Sequence, residues 1–392
     1  MQRLFPRIPI LILCAASAVH SAQTPNQPQT DRQQALALEQ QGQYDQAQAA
    51  WQAVLKAHPA DADAYAHLGL IASHQERHKD AAALYRKALT LNPHIPGLRL
   101  NLGLALFKSG DMKAAAVEFT ELLKSAPPGS PEAQRYVILL AMSHYGAAEY
   151  AQAVPLLKQA AARDPQNLGL RMTLANSCLW SKQYQCVLDV YHEILTLNAE
   201  SAEADMLAGE AFDAMNNHGG AIEQFRAAVK ANPSEPNVHF GLGYLLWTQN
   251  QLAEAASEFQ AELANDPGHI QAMLYLGDTY LQLNQPEKAR PLLEKAAAAD
   301  PSLWRAHLDL GILDADAGQN DEALRHMQAA VKQQPAEVNI HMRLGRLYKA
   351  MGKTAEARSE FAKADTLTHS TDEELVHKMQ PKDSAAAPSS PQ

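Results

Sequence analysis

The chain repeats one 34-residue pattern, and its clearest copy is residues 62–95, which read ADAYAHLGLIASHQERHKDAAALYRKALTLNPHI. A proline recurs at the same interval, apart from one gap of 38 residues and one position that is filled by Ala199. The recurring prolines are Pro59, Pro93, Pro127, Pro165, Pro233, Pro267, Pro301 and Pro335. A fixed period of this length indicates stacked copies of one supersecondary unit.

Within each copy, small residues mark the place where two helices would meet. Gly69 lies in one apolar helical pattern and Ala81 in the next, and Gly or Ala recurs at both places, with Val187 as the exception. Because these residues have no bulk, two helix backbones can approach closely there. Proline cannot continue a helix and biases the residue before it away from the helical region. Each copy is therefore predicted to be an antiparallel pair of helices.

The spacing of the large, small and aromatic residues within one copy resembles the tetratricopeptide repeat. The residues that carry the resemblance are Tyr65, Leu68, Gly69, Ala72, Ala81, Tyr85, Ala88 and Pro93. The resemblance covers roughly 340 residues and implies an all-α, right-handed superhelical solenoid of about ten helix-turn-helix repeats. The predicted array, residues 31–371, consists of 31–61 (degenerate), 62–95, 96–129, 134–167, 168–201, 202–235, 236–269, 270–303, 304–337 and 338–371.

The N-terminus has the layout of a secretory signal peptide. Two arginines precede the apolar run of residues 8–19, and small residues lead to a predicted cleavage before Ala22. Cys14 would be the acylated residue if the chain were a lipoprotein. Lipoprotein signals, however, share a small residue directly before that cysteine, and here this position is Leu13. We therefore expect export to the periplasm or the outside, without a lipid anchor and without a transmembrane span in the mature chain. The flanking segments are predicted as 1–21 signal peptide, 22–30 linker, and 372–392 capping segment and disordered tail.

The charge balance narrows the choice of partner. The 392 residues carry 33 Lys and Arg against 43 Asp and Glu, a formal net charge of −10. Binding to nucleic-acid phosphates needs a basic face, so we expect no nucleic-acid partner. The acidity fits either ordinary solubility or attraction to a basic partner.

No motif for catalysis or metal binding outweighs the repeat pattern. His192 begins like a zinc-protease motif, but Thr196 stands where the second histidine must be. The only short Gly-x-Gly, residues 241–243, follows no predicted strand. His74 and His78 flank a turn between helices, which favours two surface histidines over a metal pair. We expect no catalytic residue, no metal and no cofactor.

Two cysteines remain after the predicted signal peptide is removed. Cys178 falls late on the first helix of its repeat and Cys186 early on the second. The two thiols could therefore meet across the hairpin turn, and an oxidising compartment permits a disulfide. The alternative is two buried free thiols.

The family resemblance implies that the first helix of each repeat lines a concave groove. The groove residues would be its second, fifth, ninth, twelfth and thirteenth positions, which are apolar and aromatic in the middle of the array. Further along, these positions hold Leu274 and Asp278. The predicted partner-binding anchors are Phe107, Tyr145, Trp180, Phe240, Tyr244 and Trp247. Aromatic anchors dominate many interfaces, which favours a peptide-binding groove, while packing between repeats is the alternative.

Three functions are compatible with an exported repeat array. The first is a non-enzymatic scaffold that binds extended protein segments in its groove. The second is an accessory subunit of an envelope machine that exports or assembles glycan or polysaccharide. The third is an enzyme with an attached catalytic domain, and the segment after residue 371 is too short for one. Fold alone cannot choose between protein and glycan, and the oligomeric state is left open.

Overall fold

The protein, seen in a computed structural model, is helical throughout the part that is described, residues 27–379, with side chains over 31–369. Twenty helices and no strand occur in that range, which confirms the all-α prediction. Contacts divide the chain into two units, at residues 1–216 and 217–392. The predicted signal peptide, with Cys14, and the tail after residue 379 lie outside the described residues.

Eleven helices belong to the first unit and nine to the second. The first unit contains α1 (Gln27–Gln40), α2 (Tyr44–Ala57), α3 (Ala62–His74), α4 (His78–Leu91), α5 (Leu98–Lys108), α6 (Met112–Ser125), α7 (Pro131–Gly146), α8 (Tyr150–Arg163), α9 (Leu168–Trp180), α10 (Tyr184–Leu197) and α11 (Ala202–Ala214). The second unit contains α12 (His218–Ala231), α13 (Val238–Thr248), α14 (Leu252–Asn265), α15 (Ile270–Gln282), α16 (Pro286–Ala299), α17 (Trp304–Asp316), α18 (Asn320–Gln333), α19 (Val338–Ala350) and α20 (Thr354–Met379).

Within each unit, successive helices pack in pairs, such as α3 with α4 and α17 with α18. The pairs form because the small residues let the backbones approach. A Cβ atom added to Gly69 would lie 2.6 Å from the ring of Tyr85, closer than real contacts allow. Tyr85 itself keeps only 2% of its surface exposed. Burying a large side chain of this kind contributes about 1.5–3 kcal/mol, so the repeat's aromatic position holds each pair together.

Three helix boundaries differ from the predicted segments. α1 begins at Gln27, inside the predicted linker, where the following Pro28 is tolerated in a first helical turn. α7 begins at Pro131, before the predicted repeat start at 134, because Ser130 caps it by accepting the N–H of Ala133 at 3.1 Å.

The third difference is at the C-terminal end of the array. α20 runs without interruption from Thr354 to Met379, so the predicted capping segment after residue 371 continues the last repeat helix. The sequence offers no Gly or Pro there to end the helix. At 26 residues α20 is the longest helix. Neither it nor any other helix in the described part of the chain is long and apolar enough to cross a membrane.

Candidate functional site

The first helices of the repeats in the second unit lie side by side. α13 contacts α15, α15 contacts α17, and α17 contacts α19. We call the side of these four helices that carries their partly exposed groove residues the first-helix surface. Three of the six predicted anchors, Phe240, Tyr244 and Trp247, lie there on α13. Their spacing of four and then three residues puts them on one face of the helix.

The start of α13 is held by a carboxylate from α14. Glu262 is 2% exposed and accepts the backbone N–H of Asn237 at 3.1 Å and that of Phe240 at 3.0 Å. A carboxylate here satisfies donors that every helix leaves unpaired at its N-terminus, and the helix dipole favours the negative charge. Gly243 lets α14 approach, since an added Cβ would lie 2.8 Å from the ring of Phe259. These contacts fix how α13 presents its aromatic side chains.

Phe240, Tyr244 and Trp247 meet a fourth ring from the next first helix, Tyr275 on α15. The ring of Tyr275 lies edge-on to Tyr244 at 5.3 Å and to Trp247 at 5.1 Å between centroids. Phe240 lies 6.0 Å from the same ring. We call these four residues the aromatic cluster. Tyr244 keeps 36% of its surface exposed and the other three are half-buried, so the cluster offers apolar area to a ligand.

Trp247 is also anchored by a hydrogen bond. Its indole N–H donates to Oδ2 of Asp278 at 2.7 Å, and the side chain of Gln282 donates to the same oxygen at 2.7 Å. Burial raises the pKa of Asp278, and the two hydrogen bonds lower it in part. The indole ring is therefore held in place before any ligand arrives.

An open cavity of about 210 Å³ lies beside the aromatic cluster. Its lining residues are Trp247, Leu274, Tyr275, Asp278, Trp304, Arg305, Leu308, Asp309, Glu337 and Asn339. Asp309 is only 9% exposed. Burial and then repulsion from Asp278 raise the pKa of Asp309 well above its ordinary value, while Arg305 and Arg343 offset part of the effect.

The other three predicted anchors belong to the first unit and do not form one cluster. Trp180 is 63% exposed and stacks on Tyr150, with 6.2 Å between ring centroids. Tyr150 in turn meets Tyr145 edge-on at 5.7 Å. Phe107 is half-buried and packs against the hydrophobic core of its unit. Whether any of the six binds a partner stays a prediction.

Two residues of the site were not among the predicted anchors. Tyr275 and Asp309 hold the sixth position of the predicted repeats 270–303 and 304–337, which lies between the positions that the family resemblance implies. In the other repeats the same position varies, and it holds His67, Asn101, Leu139, Thr173, Leu207, Gly241 and Arg343. Because this position is polar in several repeats, the aspartate gave no signal in the sequence, and its burial became visible only in the structure.

Cys178 on α9 and Cys186 on α10 are bonded to each other in the structure, with Cα atoms 5.8 Å apart. This distance lies within the limit of about 7 Å for a disulfide. The turn between them is tight: Lys182 has a left-handed φ of 61°, and the N–H of Gln183 donates to the carbonyl of Cys178 at 2.8 Å. The hairpin therefore brings the two thiols together, and their oxidation in the cell stays a prediction.

Comparison with known proteins adds the family. Two sequence profiles described as tetratricopeptide repeat match the chain, the first at residues 32–96, 189–236, 206–270, 240–303 and 274–313. The second matches residues 72–137, 144–207 and 314–378. Together the matches span most of the predicted array.

Solved structures with a similar fold include three that differ in how much of the chain they cover. MamA from Desulfovibrio magneticus RS-1 is 24% identical over 44% of this chain and 97% of its own, with a TM-score of 0.40. YrrB, a tetratricopeptide repeat protein with an unusual peptide-binding site, is 21% identical over 48% of this chain and 98% of its own, with a TM-score of 0.40. The Cut9–Hcn1 hetero-tetramer of the APC/C is 13% identical over 91% of both chains, with a TM-score of 0.42.

Proposed function

The chain belongs to the tetratricopeptide repeat family, and from this premise we propose that it is a non-enzymatic scaffold that binds extended protein segments on its first-helix surface. The observation that carries the proposal is the aromatic cluster of Phe240, Tyr244, Trp247 and Tyr275. Four rings from two helices converge on one partly exposed surface. Aromatic side chains give a large contact area at a low entropy cost, so a few of them can dominate binding.

The cluster is also ordered before binding. Trp247 is fixed by its hydrogen bond to Asp278, and Tyr275 is wedged against both Tyr244 and Trp247. A preordered surface loses less side-chain entropy when a ligand binds than a mobile one does. The exposed parts of these ordered rings are available for contact with a ligand, which supports a binding role beside packing.

The test is to remove two rings and measure binding and folding together. We expect Tyr244→Ala with Trp247→Ala to weaken binding of peptides selected from a displayed random library on the full chain. The expected loss is about thirtyfold or more, since a hot spot lost to alanine typically costs ~2 kcal/mol. Affinity is measured by fluorescence anisotropy, and the fold by far-ultraviolet circular dichroism.

The matched control is Tyr184→Ala, which removes a half-buried tyrosine from the second helix α10. It should lower the melting temperature and leave peptide affinity unchanged. If the double variant binds as well as the wild type, or if the array unfolds, the rings of α13 serve packing. Selective retention of oligosaccharides in place of peptides would instead favour the glycan-handling role.

We further propose that the scaffold works in the cell envelope, on the strength of the signal-peptide pattern before Ala22. Protein purified from its native host should then begin near Ala22 and carry Cys178 and Cys186 as a disulfide. N-terminal sequencing and thiol labelling without reductant check both on one sample. An intact Met1 in the cytosolic fraction, or two free thiols in exported protein, would contradict the respective half of the proposal.

A further inference from the structure

The cavity beside the aromatic cluster contains a buried carboxylate without a partner. Buried carboxylates are ordinarily paired or hydrogen-bonded, because an uncompensated charge is costly to bury. Asp309 is 9% exposed, and no residue in the described part of the chain forms a hydrogen bond or a salt bridge with it. Asp309 lines the cavity, so its carboxylate oxygens are available to accept hydrogen bonds from a ligand bound there.

A second carboxylate, that of Asp278, lines the same cavity, and only one of its two oxygens accepts hydrogen bonds from the described residues. Both donors to Asp278, from Trp247 and Gln282, go to Oδ2. Oδ1 accepts no hydrogen bond from the residues that the structure describes. Two carboxylates on neighbouring helices therefore lack a directly paired cation at one place, which favours a cationic ligand.

The walls of the cavity select an organic cation over a bare metal ion. The rings of Trp247, Tyr275 and Trp304 line it together with the carboxylates. Ammonium and guanidinium groups are attracted to aromatic faces, best of all to tryptophan. At about 210 Å³ the cavity is smaller than the ~300–1,000 Å³ typical of small-molecule sites. It suits one side chain of a larger ligand.

The protein's own cations near the cavity offset the two carboxylates only in part: Arg305 acts on Asp278 and Asp309, and Arg343 acts on Asp309. The guanidinium of Arg305 lies 5.2 Å from the ring of Trp304 and donates to the hydroxyl of Tyr275 at 3.4 Å. Neither Arg305 nor Arg343 forms a salt bridge with a carboxylate of the described residues. Glu337 adds a third acidic side chain to the lining, so negative charge remains in excess.

We infer that this cavity binds an arginine or lysine side chain of the captured protein segment, held by Asp278 and Asp309 beside the ring of Trp247. The inference rests on the proposed function and specifies its ligand: an extended segment with a basic residue next to apolar ones. The aromatic cluster takes the apolar residues, and the cavity beside it takes the basic one.

The experiment uses peptides selected from a random displayed library on the full chain. We expect an enriched Arg or Lys at one fixed position. Replacing that residue with citrulline or acetyl-lysine, which are neutral and similar in shape, should weaken binding to the wild type at least about tenfold. Asp309→Asn should lose most of the preference for the basic peptide, with Asp278 accounting for what remains. Its melting temperature should exceed that of the wild type, because the substitution removes an unpaired buried charge while keeping the shape.

The matched control is Asp314→Asn on the same helix, which removes a buried aspartate that is paired within the fold. It should keep the preference for the basic peptide and melt at a lower temperature.

Selected peptides without a basic preference would overturn this inference and leave the proposed function standing. Peptides that bind the Tyr244→Ala, Trp247→Ala variant as well as the wild type would overturn the proposed function itself. An Asp309→Asn variant that melts lower and keeps the basic preference would show a structural carboxylate.

Discussion

Helix α17 buries an aspartate on each of two sides, and the surroundings of the two are opposite. Asp314, 1% exposed, lies 2.8 Å from Nη1 of Arg290 on α16 and 2.7 Å from Nδ1 of His326 on α18. Asp309, 9% exposed, has no such partner among the described residues and lines the cavity of the first-helix surface. Asp314 is therefore paired directly with side chains of the second helices, whereas Arg305 and Arg343 act on Asp309 without forming a salt bridge.

The difference separates a carboxylate that stabilises the fold from one that costs stability. Residues that weaken a fold without a local compensation are expected where a protein binds or reacts. Asp314 links α17 to α16 and α18 through Arg290 and His326, so its contribution to stability does not depend on a ligand. Asp309 is offset only in part by Arg305 and Arg343, and it gains a directly paired cation only when a basic ligand binds. The comparison therefore predicts opposite signs for the same substitution at two sites on one helix.

The largest expected effect is the loss of stability in Asp314→Asn. The substitution leaves Arg290 and His326 facing a neutral amide, and hydrogen bonds to charged groups are worth about 1.5–3 kcal/mol each. Both partners are about a third exposed, so water replaces part of that energy and the expected total is about 2 kcal/mol.

Urea denaturation followed by circular dichroism measures the change, with Asp309→Asn as the paired variant of opposite sign. The comparison breaks if both substitutions shift the urea midpoint in the same direction.

A smaller effect is the pH dependence of binding to a basic peptide. The pKa values of Asp278 and Asp309 are raised in the free protein, chiefly by burial. A bound cation favours their ionised forms, so binding releases protons and affinity falls as the pH drops through the raised values. The other charged groups near the cavity are Arg305, Arg343 and Glu337. For one carboxyl the loss approaches about tenfold per pH unit.

Isothermal titration in buffers of different ionisation enthalpy detects the released protons. The raised pKa of Asp309 also makes folding stability depend on pH, but in the opposite direction: stability falls as the pH rises, whereas affinity increases. Ionised Asp309 penalises the folded state, so its cost is absent below the ordinary aspartate pKa and grows as pH rises toward the raised value. The stabilisation by Asp309→Asn should therefore disappear in strong acid. A gain in stability that is the same at all pH values would assign the effect to packing.

The sequence predicted the helix pairs well because their causes are local and repeated. Gly69 faces Tyr85 in one repeat, and the same small-and-large pairing recurs in the others, so period alone located the helices. The candidate site was only half predicted. Phe240, Tyr244 and Trp247 followed from helical spacing. The binding role proposed for Asp309 rests instead on its burial and on the absence of a hydrogen-bond or salt-bridge partner among the described residues. Those depend on how α15, α17 and α19 pack, which no single repeat contains.

The smallest expected effect comes from Trp247→Phe. This substitution tests Asp278 on α15, whose environment is intermediate between those of Asp309 and Asp314 on α17. Asp278 is less buried than Asp309 and, unlike it, receives two hydrogen bonds, one of them from Trp247. Phenylalanine keeps an aromatic ring and loses the donor, so Asp278 retains only Gln282. The loss of one hydrogen bond is worth about 0.5–1.5 kcal/mol. Because that bond lowers the pKa of Asp278, its removal should raise the pKa further.

Affinity for the basic peptide should fall several-fold at neutral pH and fall more steeply in mild acid, since a carboxyl with a higher pKa is protonated earlier. Affinity for its citrulline or acetyl-lysine counterpart should change little, because that peptide uses the rings and not the charge. Anisotropy titrations of both peptides at several pH values give the two numbers. Equal losses for both peptides would mean that Trp247 acts only as an apolar anchor and that Asp278, like Asp314, is satisfied by the fold.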